Sequence, residues 1–362
     1  MPISAVDAIS PALLHTKKQL FQPFRFGQWL KLALVGLLAG ELFSGGGCNH
    51  NFSNFNFPRG DSSRHFLEQN WSMPDLALYA GLIAAGVAAV VVLWVILSYV
   101  GSVMRFILFD SVLAKECRLS EGWSRRQWPG FRYFVWKLVY ALSVLVLLAV
   151  LIGIPFVFAV ASGWFREPKE HMATLILGGI FLILAVLFFS LIGAVVLVLT
   201  KDFVVPQMAL EGIGAFEGWG RLWAMMMAEK SDYAIYIVMK IVMAIVAAVV
   251  IGIVSVILGL FFVVPAAMLG VMGVLAGKSA GLTWNAGTIT LAVVVGCILL
   301  LVFLYIVAVA CLPAVVFFPA YSIYFFAGRY PALSKALYPA TPVPLPSMGT
   351  APQGQPPPLP AV

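Results

Sequence analysis

Residues 121–125 read Glu-Gly-Trp-Ser-Arg, and residues 217–221 read Glu-Gly-Trp-Gly-Arg. The two copies lie 96 residues apart, and each copy separates two long runs of uncharged apolar residues. A motif that recurs at such a period indicates a repeated structural unit. We therefore predict that the chain repeats a pair of membrane helices, with a polar connector between one pair and the next.

The composition also indicates a membrane protein. Hydrophobic residues make up 62% of the 362 residues and charged residues 10%, whereas a soluble domain has about 25% charged residues. The excess of apolar side chains is therefore expected to face lipid. The four cysteines have no CxxC spacing, so we expect neither a disulfide framework nor a zinc site, and no cofactor.

Six apolar runs are long enough, or nearly so, for a helix to cross a bilayer, which takes about 20 residues. The predicted spans are residues 28–44, 77–103, 134–160, 173–200, 234–259 and 288–311. The fifth run continues over residues 260–276 and contains Pro265, so we interpret this part as a broken continuation or a re-entrant segment. The sixth run continues past Pro313 to Phe326, and we expect it to bend out along the membrane interface.

The distribution of Lys and Arg predicts the orientation. Six spans place both termini on one side, and the connectors on that side hold 17 of the 22 basic residues. These connectors are residues 1–31, 105–137, 201–240 and 329–362. Since basic loops stay cytoplasmic, we predict a bacterial inner-membrane protein with both termini in the cytoplasm. This orientation accounts for the formal charge of +7 without nucleic-acid binding.

The motif favours three tandem units, each made of an amphipathic interfacial helix and two spans. The predicted units are residues 1–109, 110–205 and 206–337, followed by a Pro-rich tail at 338–362. All three hairpins enter the membrane from the cytoplasm, so the units are parallel repeats. The predicted fold class is therefore all-α integral membrane: six transmembrane helices as three parallel two-helix repeats, with cytoplasmic amphipathic interfacial helices.

Both copies of the motif place an acid four residues before an arginine, in the pairs Glu121–Arg125 and Glu217–Arg221. This order of charges favours an ion pair on a helix, so we interpret the pairs as structural. The alternative, that Glu121 and Glu217 are catalytic acids, is disfavoured because an arginine partner keeps a carboxylate ionised. Four tryptophans near the motifs are predicted interfacial anchors at the headgroup level. They are Trp123, Trp128, Trp219 and Trp223.

A basic cluster surrounds the first copy of the motif. It consists of Lys115, Arg118, Arg125, Arg126, Arg132 and Lys137. Only Glu116 and Glu121 oppose it within this stretch. Each basic residue near an anionic leaflet contributes about 1 kcal/mol. We therefore predict that the cluster contacts the headgroups of anionic lipid.

No pattern of a metalloprotease, serine hydrolase or nucleotide-binding loop is present, so an enzyme is not expected. Ion relays in transporters need ionisable residues at depth, and the apolar runs have almost none. We interpret Glu41, at the end of the short first run, as interfacial. Lys31, Lys137 and Lys240 recur one turn inside three spans, where they either snorkel to the interface or contact a substrate.

Two further segments leave alternatives open. Cys48, His50 and His65 share the first outer loop, where an irregular loop is favoured over a metal site. The tail from Pro339 has nine prolines in 24 residues. Such a tail can dock into an aromatic groove of a protein partner, although a solvated tail is the favoured interpretation.

Several short motifs are similar to those of a known group of proteins. They are Phe24-Arg25 before Trp29-Leu30, Phe109-Asp110 before the first Glu-Gly-Trp, and Asp202-Phe203-Val204-Val205-Pro206 before Glu217. Over residues 10–330 the chain resembles uncharacterised bacterial inner-membrane proteins similar to the membrane domain fused to some glycerophosphoryl diester phosphodiesterases. The resemblance implies a lipid-linked context. It does not imply hydrolysis, because the soluble metal-binding barrel of those enzymes has no counterpart in this chain.

Two functions are compatible with these features. The favoured one is a non-enzymatic multi-pass membrane protein with a lipid-linked accessory or scaffold role. The alternative is a transporter of a small or lipid-like substrate built from parallel repeats, a layout that looks like that of mitochondrial carriers. The Pro-x-acid-x-x-base signature of that family is absent from the ends of the odd-numbered spans.

Overall fold

The computed structural model describes residues 3–41, 73–164, 171–279, 281 and 286–338, and these residues form helices without any strand. The helices are α1 (Ile9–Phe21), α2 (Phe26–Leu38), α3 (Met73–Ala114), α4 (Leu119–Ala161), α5 (Met172–Leu199), α6 (Val205–Glu211), α7 (Ala215–Ala228), α8 (Lys230–Ser279), α9 (Ala286–Ala310), α10 (Leu312–Ala327) and α11 (Pro331–Leu337). A π-helical turn, Thr200–Val204, joins α5 to α6.

Five helices in the described part of the chain are long and apolar enough to cross a bilayer: α3, α4, α5 with its continuation, α8 and α9. The shortest candidate, Thr290–Ala310, has 21 residues and is about 32 Å long, which matches a hydrocarbon core of about 30 Å. The protein is therefore a multi-pass membrane protein. By contrast, α2 has 13 residues and is about 20 Å long, so the described part of the first predicted span is too short to cross.

Some residues that the sequence pattern assigns to connectors are part of the membrane helices themselves. Helix α4 runs through 43 residues from Leu119 to Ala161. Its first turns, which carry the first motif, therefore extend the membrane helix and do not form a separate interfacial helix. Helix α8 runs unbroken through 50 residues from Lys230 to Ser279 and contains Pro265. The expected break or re-entrant segment at residues 260–276 is therefore wrong, because one missing backbone hydrogen bond does not end a membrane helix.

The buried core lies at one end of the long helices. We call this region the head; it contains α1, α2, α6, α7, α10 and α11, with the adjoining ends of α3, α4, α5 and α8. Outside the head the long helices expose their side chains, since only 6–17% of each of their most apolar stretches is buried. Apolar side chains in such numbers need a lipid environment. The head is thus the packed part of the protein, and the long helices are its lipid-facing part.

Helix α10 lies inside the head and is mostly buried. The chain passes from α9 to α10 through Cys311, and α10 packs inside the head, whereas the sequence predicted a segment along the membrane interface. Tyr321 of α10 stacks on Tyr236 at a centroid distance of 5.1 Å, and Phe326 contacts Phe203 at the same distance. These aromatic contacts offset the loss of lipid contact, since buried aromatic pairs are worth about 0.5–1.5 kcal/mol beyond their buried area.

The glycines of the two motif copies have the same role. A Cβ atom on Gly122 would lie 3.2 Å from a side-chain carbon of Ile107, and one on Gly218 would lie 2.8 Å from a side-chain carbon of Val204. Each glycine therefore lets its helix pack closely against the end of the preceding membrane helix. The recurrence of Glu-Gly-Trp thus has a packing reason at both positions.

Candidate functional site

Five charged side chains meet inside the head. They are Glu41, Arg105, Lys201, Asp202 and Lys240, and we call them the ion network. Each side chain is at most 10% exposed. Glu41 lies three residues after α2, and the other four come from α3, from the π-helical turn and from α8. Charged residues are almost never buried to this degree unless they are paired, so the network is a functional candidate.

Glu41 ties three parts of the chain together. Its Oε1 accepts a hydrogen bond from Nη1 of Arg105, and its Oε2 accepts one from Nζ of Lys201 at 2.5 Å. Nη2 of Arg105 also donates to the carbonyl oxygen of Ala39 at 2.7 Å. The end of α2 is thereby held against α3 and against the π-helical turn.

Asp202 forms the second half of the ion network. Its Oδ2 accepts hydrogen bonds from Nζ of Lys240 and from the hydroxyl of Tyr236, the latter at 2.9 Å. Lys201 and Asp202 are consecutive, yet both side chains are buried, and both lie in a π-helical turn. Such turns are rare and occur frequently at functional sites.

A small cavity of about 20 Å³ lies within the ion network. Its lining includes Glu41, Arg105, Lys201, Asp202, Pro206 and Pro319. Pro206 and Pro319 follow the similar segments Val204-Val205 and Phe317-Phe318. A cavity of this size can hold about one water molecule, which is far too little for a metabolite or a lipid.

Among the described residues, the ion network pairs the cations Arg105, Lys201 and Lys240 with the carboxylates of Glu41 and Asp202. Lys137 on α4 is half-buried and belongs to none of these ion pairs.

Sequence reasoning missed this site. Glu41 was expected at the interface, but only 4% of it is exposed and two cations bind it. Lys240 was expected to snorkel or contact a substrate, but it is bound to Asp202. The available signal was the adjacent pair Lys201-Asp202 directly after an apolar helix of 28 residues, because a membrane segment seldom ends on two buried charges of opposite sign.

The predicted lipid-contact cluster divides into exposed and buried members. Lys115, Arg118, Arg125 and Arg132 are exposed. Arg126 is buried and is not available to lipid, so its assignment as a lipid contact is wrong. Its Nε and Nη2 donate to the two carboxylate oxygens of Asp110 at 2.6 and 2.7 Å, and its Nη1 donates to the carbonyl of Ala209 at 2.6 Å.

The first predicted ion pair has a different partner. Glu121 contacts Arg118 at 3.5 Å instead of Arg125, because Arg118 lies just before the first residue of α4, where its guanidinium reaches the first turn. Arg125 has no ion pair among the described residues. The guanidinium of Arg125 is exposed and is therefore open to another ligand.

The second predicted ion pair is present. Nη2 of Arg221 contacts Oε1 of Glu217 at 2.7 Å, and Nη1 contacts Glu211, which also accepts from the hydroxyl of Tyr330. The pair therefore belongs to an arginine-centred contact between α6, α7 and the segment before α11.

Of the four tryptophans predicted to be interfacial anchors, two are exposed and two are half-buried. Trp128 and Trp223 are 69% and 55% exposed and are free to enter the headgroup layer. Trp123 is half-buried against Tyr99, with ring centroids 6.4 Å apart. Trp219 is half-buried too, and its Nε1 donates to Oγ1 of Thr200 at 3.0 Å. The tryptophan of each motif copy is thus a packing residue, and the exposed pair lies four or five positions further along.

A cleft of about 510 Å³ borders the exposed arginines. Charged residues in its lining are Asp110, Glu116, Arg118, Glu121, Arg125 and Arg126. Most of these charges are already paired, so Arg125 is the cation that remains open to a ligand. The first outer loop with Cys48, His50 and His65, and the Pro-rich tail from Pro339, lie outside the described residues.

Comparison with known proteins places the chain in a family. No curated protein and no solved structure matches it. A model described as a family of unknown function, DUF7544, matches residues 3–336. Since this match covers most of the sequence, the chain belongs to the DUF7544 family.

Proposed function

We propose that this protein is a non-enzymatic multi-pass protein of the bacterial inner membrane that holds anionic lipid at its cytoplasmic face, in a lipid-linked accessory or scaffold role. The observation that supports this role most is the exposure of the basic side chains of Lys115, Arg125 and Arg132, together with the exposure of Trp128. Exposed tryptophan and basic side chains suit the headgroup layer, where a tryptophan enters the apolar boundary and a basic side chain meets phosphate.

Replacing Lys115, Arg125 and Arg132 together by Gln is expected to reduce the anionic lipid that co-purifies with the protein. Each basic residue contributes about 1 kcal/mol, so the triple variant should bind phosphatidylglycerol roughly a hundredfold more weakly. The measurement is mass spectrometry of retained lipid at two salt concentrations. Wild-type retention should fall as salt rises, because surface charges are screened over about 8 Å at physiological ionic strength.

The control for this experiment replaces Lys17, Lys18 and Lys335 by Gln. These three lysines are basic and lie outside the cluster, so retention should change little. Arg126 is left unchanged because it holds Asp110. Equal retention of phosphatidylglycerol by the wild type and the cluster variant would contradict the proposed lipid contact.

We further propose six spans in three parallel repeats, with both termini cytoplasmic. The six apolar runs and the two copies of the Glu-Gly-Trp motif support this arrangement. The division of 17 basic residues against 5 supports cytoplasmic termini.

The two ends of α4 provide a test of this topology. In a variant without the four native cysteines, we expect a membrane-impermeant maleimide to label Ser162→Cys in intact cells. We expect Ser124→Cys to be labelled only after the cells are permeabilised, because this residue begins the same helix on the cytoplasmic side. Labelling of Ser124→Cys in intact cells would reverse the orientation.

A transporter is the second candidate, and the ion network favours it. Ionisable residues at membrane depth mark ion and substrate pathways in many transporters. The cavity of about 20 Å³ argues against it, since it holds no more than a water molecule. Uptake into proteoliposomes that is abolished by Asp202→Asn, with the protein still folded, would favour the transporter over the accessory role.

A further inference from the structure

An apolar groove of about 430 Å³ runs along α8, beside the junction of α9 and α10. One wall is a face of α8, where lining valines recur at every fourth position. They are Val242, Val246, Val250 and Val254. The opposite wall includes Cys311 and, in α10, Pro313, Ala314 and Phe317. The side chains of both walls are apolar, since a free cysteine behaves as a small hydrophobe.

The groove has a packed floor and an open side. On the floor, Ile251 and Cys311 are buried, whereas Val246 and Val250 at the rim are more than half exposed. The groove is therefore a recess in packed structure and not a gap between two separate helices. Its open side is continuous with the lipid-facing surface of α8, where Val249 is also exposed.

The groove lies at membrane depth, next to the head. Its lining on α8 begins at Val242, two residues after Lys240 of the ion network, and no further charged residue follows on this helix until Lys278. From Val242 to Val254 the helix rises by about 18 Å, and half of a hydrocarbon core is about 15 Å thick. The groove therefore extends through about one leaflet, the leaflet adjoining the head.

The dimensions of the groove restrict its occupant. Its volume divided by its length leaves a cross-section of ~24 Å². A helix of another protein is about 10 Å across and needs roughly three times that area, whereas one unbranched hydrocarbon chain fits. Lipid tails are as apolar as the groove, so close packing and not the hydrophobic effect favours the chain there. An unfilled recess would lose these dispersion contacts.

We propose that this groove binds one acyl chain of a membrane phospholipid, which lies along α8 with its ester end toward the head. This inference goes beyond the proposed function, because it concerns the hydrocarbon chain of a lipid and not the charge of its headgroup. Since the described residues that line the groove carry no charge, phospholipids with different headgroups should occupy it alike.

The experiment uses the full chain in mixed vesicles of phosphatidylethanolamine and phosphatidylglycerol. The probe is a trace of phosphatidylcholine that carries a diazirine in one acyl chain. Light converts the diazirine to a carbene, which inserts into neighbouring C–H bonds, and mass spectrometry of peptides locates the adducts. We expect adducts on Ala314 and Phe317, which are half-buried in the groove wall, as well as on the exposed face of α8.

A matched pair of variants tests the groove itself. Val246→Phe with Val250→Phe narrows it at the rim, and the adducts on α10 should fall about tenfold because the phenyl rings take the space of the chain. The control, Val249→Phe with Ile253→Phe, makes the same kind of change on the exposed face of α8 outside the groove, and it should be labelled as the wild type is. All four positions are exposed, so both variants should unfold at the temperature of the wild type.

Two further measurements separate this site from the headgroup contact. A phosphatidylglycerol probe with the same diazirine chain should label α10 as well as the phosphatidylcholine probe does. The triple variant of Lys115, Arg125 and Arg132 should be labelled as the wild type is, whether or not the headgroup contact exists. The inference is overturned when α10 stays unlabelled while the exposed face of α8 is labelled, as a second copy covering the groove would cause. It is also overturned when the rim variant is labelled on α10 as strongly as the wild type.

Discussion

Replacing Glu41 by Ala is expected to lower the free energy of unfolding by about 3–5 kcal/mol, the usual cost of removing one partner from a buried ion pair. The variant leaves the guanidinium of Arg105 and the ammonium of Lys201 buried without their carboxylate. It also releases the end of α2 from α3. The measurement is denaturant-induced unfolding in detergent, followed by the fluorescence of the ten tryptophans.

The matched control is Glu121→Ala, which removes an exposed carboxylate in a weak ion pair. Exposed pairs are worth only about 0.2–1 kcal/mol, so this variant should unfold almost as the wild type does. The double variant Glu41→Ala with Lys201→Met should recover part of the loss, because one buried cation is removed together with its partner. A loss below 1 kcal/mol for Glu41→Ala would show that the ion network does not hold the head together.

The second large effect is expected for Gly101→Ala. An added Cβ atom would lie 2.6 Å from the backbone carbonyl oxygen of Leu38, and a backbone atom at the end of α2 cannot turn away as a side chain can. Helices α2 and α3 must therefore separate, and overpacking of this kind costs about 1–3 kcal/mol. The same movement strains the contact between Glu41 and Arg105, so the effect is expected at the upper end of this range.

Gly86→Ala in the same helix is the control, because nothing lies within 4 Å of its added Cβ atom. Alanine is a better helix former than glycine by roughly 0.5–1 kcal/mol, so this variant should be slightly more stable than the wild type. A loss of stability for Gly101→Ala together with a gain for Gly86→Ala would show that the close contact between α2 and α3 is at Gly101. Equal effects would mean that helix propensity alone governs both positions.

The fold class could be predicted from the sequence because it depends on the total hydrophobicity of long runs of residues and not on any single contact. Runs of 20 or more apolar residues favour membrane helices wherever their neighbours lie, and five such helices are present. The Glu-Gly-Trp motif also marked two structurally equivalent positions, since Gly122 and Gly218 both allow close helix packing. The existence and type of the long helices were therefore accessible without tertiary contacts.

Helix boundaries were less predictable. Polar residues around Arg118 and Glu121 were interpreted as a separate surface helix, yet α4 continues from them into the membrane. The reason is that charged residues do not end a helix unless a glycine, a cap or an unfavourable backbone angle does so. Pro265 was interpreted as the position of a helix break, yet α8 contains this proline and continues to Ser279.

The pairing of charges was decided by the tertiary structure alone. Each of Glu41, Arg105 and Asp202 looks like a connector or interface residue in its local sequence, and Glu41 lies 64 positions from Arg105 and 160 from Lys201. Whether a charged side chain is exposed or buried depends on which helices surround it, and a window of neighbouring residues does not contain that information.

The sequence by itself determined that this chain is a helical multi-pass membrane protein, because burial of long apolar runs in lipid requires no specific partner. Only the tertiary structure decided that the first apolar helix ends inside the head, that Arg126 is closed to lipid by Asp110, and that Glu41 and Asp202 bind the buried cations Arg105, Lys201 and Lys240. These features depend on contacts between distant segments, whose energies exist only once the helices have packed.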